Sequence, residues 1–177
     1  MRSRPSASFR ERRTQPTRQD APQFRAGDRL GVVSDSHGLL RPQVTALLHG
    51  VRAIIHAGDV GKISVLEQLE SIAPVYAVRG NVDLVPPCSD LPERLVLHAG
   101  GRRILVTHIL EDADVTGFDL VVCGHSHVPK ISAIGSTCCL NPGSIGPRRF
   151  RLPVSMGYIT VTPQETLVPE LRTVEIA

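Results

Sequence analysis

The sequence predicts an α/β fold, and three observations predict it. Hydrophobic residues make up 41% of the 177-residue chain, yet Trp is absent and only two Tyr and four Phe occur. The core must therefore be built from Val, Ile, Leu and Ala, the residues of buried parallel strands. Through the first half, short aliphatic runs alternate with helical spacing in the order β-α-β-α-β, while the second half reads as mainly β. One domain is expected at this length, with enough apolar material for a core.

The first strand is Leu30-Gly31-Val32-Val33, a buried run that starts where polar residues give way near Arg25. Residues 39 to 50, with Leu39, Leu40, Val44, Leu47 and Leu48, fit one helical face. Ala53-Ile54-Ile55 is the second strand, residues 62 to 71 resume a helical pattern, and Val75-Tyr76-Ala77-Val78 is the third strand. Strands joined in this order lie parallel, and their carboxyl-end loops gather along one edge where ligands bind. After a Pro-rich link at 86 to 92, Leu95–His98 and Ile104–Thr107 flank Gly100-Gly101 as a hairpin. Leu120–Cys123 is a further strand, and turn signals at Gly135-Ser136, Pro142-Gly143 and Pro163-Gln164 make the remainder read as a β meander.

Charge divides the chain. Residues 1 to 25 hold seven Arg against Glu11 and Asp20, so the net +3 splits into +5 there and −2 over residues 26 to 177. Residues 1 to 25 are expected to form a disordered basic tail and 26 to 177 the folded domain, because the Arg-, Ser- and Pro-rich start cannot offset its ordering entropy. No apolar run approaches the roughly 18 residues of a membrane span, and the start does not resemble a secretory signal. No membrane partner and a cytoplasmic location are expected. Cys88, Cys123, Cys138 and Cys139 lack C-x-x-C spacing and read as reduced thiols.

Five short motifs fall where strands run out into loops: Asp35-Ser36-His37, Gly58-Asp59, Gly80-Asn81-Val82-Asp83, Thr107-His108 and Gly124-His125-Ser126-His127. With Asp83 set aside, they offer two carboxylates, an amide and four imidazoles, a set that suits a pair of divalent cations better than one structural zinc. Asp35 and His37 are two apart, as are His125 and His127, so in an extended segment each pair points one way. Asp59 can bridge two cations with its two oxygens. Two cations bring +4; Asp35, Asp59 and a bridging hydroxide remove three, and a surplus of about +1 attracts an anionic phosphate ester. No side-chain nucleophile is required. His56 can support a ligand from behind or sit as a core histidine, Asp83 reads as a supporting or turn residue, and Arg79 can meet substrate phosphate or pair with a carboxylate. Arg148 and Arg149 read as surface charges. Gly58, Gly80 and Gly124 are expected to permit tight turns or positive φ.

The motif order D-x-H, G-D, G-N-x-D, T-H and G-H-x-H, with Asn141-Pro142-Gly143-Ser144, resembles the calcineurin-like metallophosphoesterases, and within them the small bacterial and archaeal phosphodiesterase branch, over about residues 29 to 162. The resemblance implies a four-layer α/β/β/α sandwich of two mixed sheets flanked by helices. It also implies that Asp35, His37, Asp59 and His127 hold one metal and Asp59, Asn81, His108 and His125 the other, with Mn²⁺ first and Ni, Fe, Zn or Mg also fitting. The implied activity is hydrolysis of small phosphate esters, diesters before monoesters, with the metal-bridging hydroxide as nucleophile.

Two departures stand out. Larger relatives carry a His after the Asn of the G-N motif and the small branch often a Cys, where this chain has Val82. After His108, relatives usually have Gly and a helix-bearing segment, where only Ile109 to Phe118 intervene here. Alternative readings are a non-catalytic scaffold of the same fold, like the retromer subunit, or a nuclease or nucleotide hydrolase whose basic tail holds nucleic acid. The filled ligand positions favour catalysis.

Overall fold

The computed structural model describes residues 23–176. The tail expected over residues 1 to 25 thus lies outside the described residues as far as residue 22, and Gln23 and Phe24 already form a strand. In chain order the elements are β1 (Gln23–Phe24), β2 (Arg29–Val33), α1 (Pro42–Leu47), β3 (Ala53–His56), α2 (Ile63–Glu70), β4 (Val75–Ala77), β5 (Arg94–Ala99), β6 (Arg102–Thr107), β7 (Leu120–Val122), β8 (Lys130–Ile134), β9 (Thr137–Asn141), β10 (Ser155–Val161) and β11 (Leu167–Thr173).

They build two mixed sheets, ordered β11-β10-β2-β3-β4 and β1-β5-β6-β7-β9-β8. The β-α-β-α-β unit is present as expected: β2, β3 and β4 are parallel, with Leu30 opposite Ala53 and Ile54 opposite Val75. The Gly100-Gly101 hairpin joins β5 and β6 in antiparallel register. The expected meander is corrected. β9 runs parallel to β7, and β10 leaves that sheet to pair antiparallel with β2 in the other. Turn residues mark where a chain reverses; which strand it then meets depends on the face it buries, and β10, buried along almost its whole length, lies between β11 and β2 in the five-stranded sheet.

Alternation along the strands sorts the core into layers. Leu30, Val32, Ile55 and Ile159 face Leu97, Ile104, Leu120 and Leu140 between the sheets. Val33, Ile54 and Met156 face Val44, Leu48, Leu66 and Leu69 on the helix side. Each such fully buried aliphatic side chain contributes on the order of 2 kcal/mol. Gly31 permits the close approach of α1, since a Cβ there would lie 2.3 Å from Leu48 Cδ2.

α1 is shorter than the expected 39 to 50. Pro42 occupies the first turn, where its missing N–H is harmless, and the chain leaves the helix before Gly50 at φ 81°. The outer face of the six-stranded sheet carries the fourth layer as an irregular segment, in which Leu110, Ala113, Val115 and Phe118 cover Leu105, Val121 and Cys139. The ten residues available there close over the sheet without room for a helix and its two connections. Among the described residues, no helix is long and apolar enough to cross a membrane.

Candidate metal centre

Each candidate ligand sits in a loop after the carboxyl end of a parallel strand. Asp35 and His37 follow β2, Asp59 follows β3, Asn81 follows β4, His108 follows β6, and His125 and His127 follow β7. The structure brings all of them into one cluster. His37 Nε2 lies 3.3 Å from His127 Nε2, which lies 3.2 Å from Asp35 Oδ1. Asp59 stands between two groups, with Oδ2 3.8 Å from His37 Nε2 and Oδ1 3.3 Å from His108 Nε2. Asn81 Oδ1 is 3.0 Å from His108 Nε2 and 2.9 Å from His125 Nδ1. Asp35, His37 and His127 form one group whose ligand atoms all lie within 4.8 Å of one another, and Asp35, Asp59 and His108 form a second.

The extended geometry expected for the two D-x-H and H-x-H pairs is corrected. Asp35, His37, Asp59, His125 and His127 have φ of 53°, 46°, 54°, 67° and 59°. Left-handed conformations in non-glycine residues cost on the order of 1 kcal/mol each or more and survive only where neighbours hold them. Backbone bonds do so: Asp35 N donates to Gly58 O, His37 N to Asp59 O and Gly38 N to Val60 O. The loops after β2 and β3 are thereby zipped together, and curling rather than extension turns both side chains inward. Gly58 has the positive φ expected of it, at 93°. Gly80 and Gly124 matter for space instead: a Cβ on Gly80 would sit 2.0 Å from Asp59 Oδ1, and one on Gly124 2.1 Å from Ser34 Oγ.

Hydrogen bonds aim the donor atoms. His108 Nδ1 lies 2.7 Å from Ala57 O, so it carries the proton and leaves the Nε2 lone pair facing Asp59 and Asn81. Two acceptors face that lone pair, an arrangement that a cation stabilises. Asp35 Oδ2 accepts from Ser34 Oγ at 2.6 Å and from His125 N at 3.1 Å. Its Oδ1 is buried without a hydrogen-bond partner beside the imidazoles. A buried carboxylate oxygen without a hydrogen-bond partner is costly, and oxygen and imidazole donors together suit borderline divalent metals. The residues present fit a metal. His127 Nδ1 also lacks a hydrogen-bond partner, so nothing on that side of the ring sets its tautomer.

Electrostatics follow the geometry. Burial lowers the His37 pKa and keeps the ring neutral, against the pull of Asp59 and Asp35. Burial is the largest single influence on Asp59 and His108 and opposes charge on both, but in the metal-free protein the bond a protonated His108 makes to Asp59, the backbone hydrogen bonds to Val82 N and Ala57 O and the mutual charge attraction together outweigh it, so Asp59 titrates lower and His108 higher than usual.

The weaker candidates separate. Asp83 is buried and accepts Val60 N at 3.0 Å, Gly61 N at 2.8 Å and Gly80 N at 2.9 Å, tying the β3 and β4 loops together. Arg79 pairs with Glu93 on the wall of a cavity of about 310 Å³ that also touches Asn81, His108, Leu84 and Ile109. Sequence reasoning gave no role to Asn141, whose amide donates to Gly124 O at 2.6 Å and Ser126 Oγ at 3.0 Å, or to Ser144, which donates to Asp35 O at 2.9 Å. Their signal was the Asn-Pro-Gly-Ser motif itself. Arg149, read as a surface charge, reaches His37 Nε2 at 3.3 Å.

His56 is wholly buried. Ser36 Oγ donates to Val60 O and so accepts from His56 Nε2 at 2.9 Å, while Nδ1 has no hydrogen-bond partner. Burial pushes the His56 pKa down to about 4 from 6.5, although Asp83 and Asp35 oppose this. The unfolded chain therefore binds more protons than the fold between those values, so this contribution is complete above pH 6.5 and lost as pH falls toward 4. It amounts to about 3 kcal/mol. Urea melts of metal-free His56→Gln should show a shallower acid loss than the wild type across this window; parallel curves would exclude His56 as the cause.

A profile of the calcineurin-like phosphoesterase superfamily domain matches residues 29–164. The Bacillus subtilis (strain 168) protein named "Probable metallophosphoesterase YsnB" is 34% identical over 146 residues, spanning 73% of this chain and 82% of that protein. A solved structure described as a novel archaeal phosphodiesterase superposes with a TM-score of 0.66 at 20% identity, covering 81% of this chain and 99% of that one. Vacuolar protein sorting 29 from Cryptosporidium parvum gives a TM-score of 0.64 at 19% identity, covering 84% and 99%. The two solved structures speak for the fold, an α/β sandwich of two mixed sheets.

Proposed function

The chain belongs to the calcineurin-like phosphoesterase superfamily, and from that premise we propose that it is a metal-dependent phosphohydrolase that cleaves diesters in preference to monoesters. The observation that carries this reading is Asp59, whose two carboxylate oxygens face two different histidine groups, His37 on one side and His108 on the other. Asp35, His37, Asp59 and His127 would hold one divalent cation, and Asp59, Asn81, His108 and His125 a second, Mn²⁺ first. When bound, such ions lower the pKa of a water and polarise the phosphoryl oxygens. The chain's own residues set the rest. Ala57 O fixes the His108 tautomer, Asp83 ties the loops that carry Asp59 and Asn81, and the cavity beside Asn81 and His108 gives room for an ester group. The free cysteines suit a reducing cytoplasm.

Diester preference draws support from the archaeal phosphodiesterase of the same fold. The vacuolar sorting protein, equally alike in fold, keeps a scaffold role as the rival. Stripping the metals and restoring Mn²⁺, Ni²⁺, Fe²⁺, Zn²⁺ or Mg²⁺ one at a time decides between them, with bis(p-nitrophenyl) phosphate and p-nitrophenyl phosphate as substrates. The expected result is no hydrolysis without metal, recovery at two equivalents, and faster turnover of the diester. A protein inert with every cation would be a scaffold.

A further inference from the structure

The loop after β9 delivers an arginine to the mouth of the site, and each step of its path is held. Ser144 Oγ donates to Asp35 O and Ile145 N to Ser34 O at 3.2 Å. Gly146 lies flat on the metal loop, where a Cβ would be 2.5 Å from both Asp35 O and Ser36 O. Arg41, from the entry to α1, donates to Gly146 O at 3.1 Å. Three residues on, the Arg149 guanidinium reaches 3.3 Å from His37 Nε2.

Its charge is uncompensated. Its neighbour Arg148 instead donates to the Leu152 carbonyl and lies on the loop's own surface, while Arg79, beside Asn81 and His108, is ion-paired with Glu93. Arg149 forms no ion pair among the described residues, and its partner is a ring nitrogen of His37, a proposed ligand, that does not neutralise it. A guanidinium offers parallel N–H donors matched to phosphate oxygens, and beside cations of the same sign it is stable only with an anion between.

Resting on the proposed phosphohydrolase reading, the geometry points to Arg149 as the residue that binds a non-bridging oxygen of the substrate's phosphoryl group at the His37 end of the site. Its contribution is to anion affinity, and it opposes metal binding through like-charge repulsion. These opposite signs separate it from a residue that merely shapes the loop.

The test uses the full chain and two readouts independent of turnover. Titrating inorganic phosphate calorimetrically onto Mn²⁺-loaded protein should show binding weakened about tenfold or more in Arg149→Gln, with Arg149→Lys in between because an ammonium lacks the planar fork. Titrating Mn²⁺ onto metal-free Arg149→Gln at low ionic strength should show binding tightened several-fold. Phe150→Ala, exposed one residue along the same loop, should change neither. Phosphate affinity in Arg149→Gln within twofold of wild type overturns the proposal, as does a wild type that binds no phosphate. A wild type that binds phosphate through Arg149 yet hydrolyses no ester would sink the enzymatic reading and leave this one standing.

Discussion

On the proposed two-metal reading, replacing Asp59 by asparagine is expected to lower diester turnover by more than about 100-fold, beyond what loss of a supporting partner causes, and to cut tightly bound metal from two equivalents to at most one. The physical reason is the position of the carboxylate. Oδ1 accepts from Val82 N at 3.0 Å and faces His108, while Oδ2 faces His37. An amide keeps the shape but offers one oxygen and no charge, so one side of the site meets an N–H₂ donor where an acceptor is required. Gly80→Ala should reproduce the metal loss with Asp59 still present, because its Cβ would fall 2.0 Å from Oδ1 and 2.2 Å from Asp59 N. Elemental analysis of the purified variants, with circular dichroism to verify folding, checks both. Asp59→Asn that retains two equivalents and wild-type turnover would remove the bridging assignment.

What the sequence made legible, and what it did not, follows from the range of the forces involved. The strand Leu30–Val33 was readable because four consecutive small and aliphatic residues bounded by a polar loop bury on both faces. The candidate ligands were readable as one cluster because each follows such a run. The start of α1 was misjudged because Leu39 and Leu40 match helical spacing, whereas Pro42 fixes the first turn and leaves them in the preceding loop. The left-handed conformations of Asp35, His37 and Asp59 are short-range facts with a weak signal. Asp and His tolerate that region better than most residues, but only the bonds from Asp35 N and His37 N to the β3 loop impose it. Arg149 was illegible for the opposite reason: it is 112 residues from His37, and only the crossing of β10 into the other sheet brings its loop back.

Val82 carries the last expectation, a dependence on the leaving group. It follows Asn81 at the position where larger members of the superfamily carry a histidine, and it is 44% exposed with an aliphatic side chain that can donate no proton. A nitrophenolate leaves as the anion, whereas an alkoxide must be protonated as the bond breaks, and a positioned acid supplies roughly 100- to 10,000-fold for such a step. Aryl diesters should therefore be cleaved at least about 100-fold faster than alkyl diesters of the same charge. Val82→His should close part of that gap by raising alkyl ester turnover about tenfold or more while leaving aryl turnover nearly unchanged. The substitution is tolerable because position 82 contributes its backbone N–H to Asp59, which any residue but proline retains. Equal rates for both ester classes in the wild type would mean that a proton reaches the leaving oxygen by another route, with Thr107 or a cavity water beside His108 the first places to look.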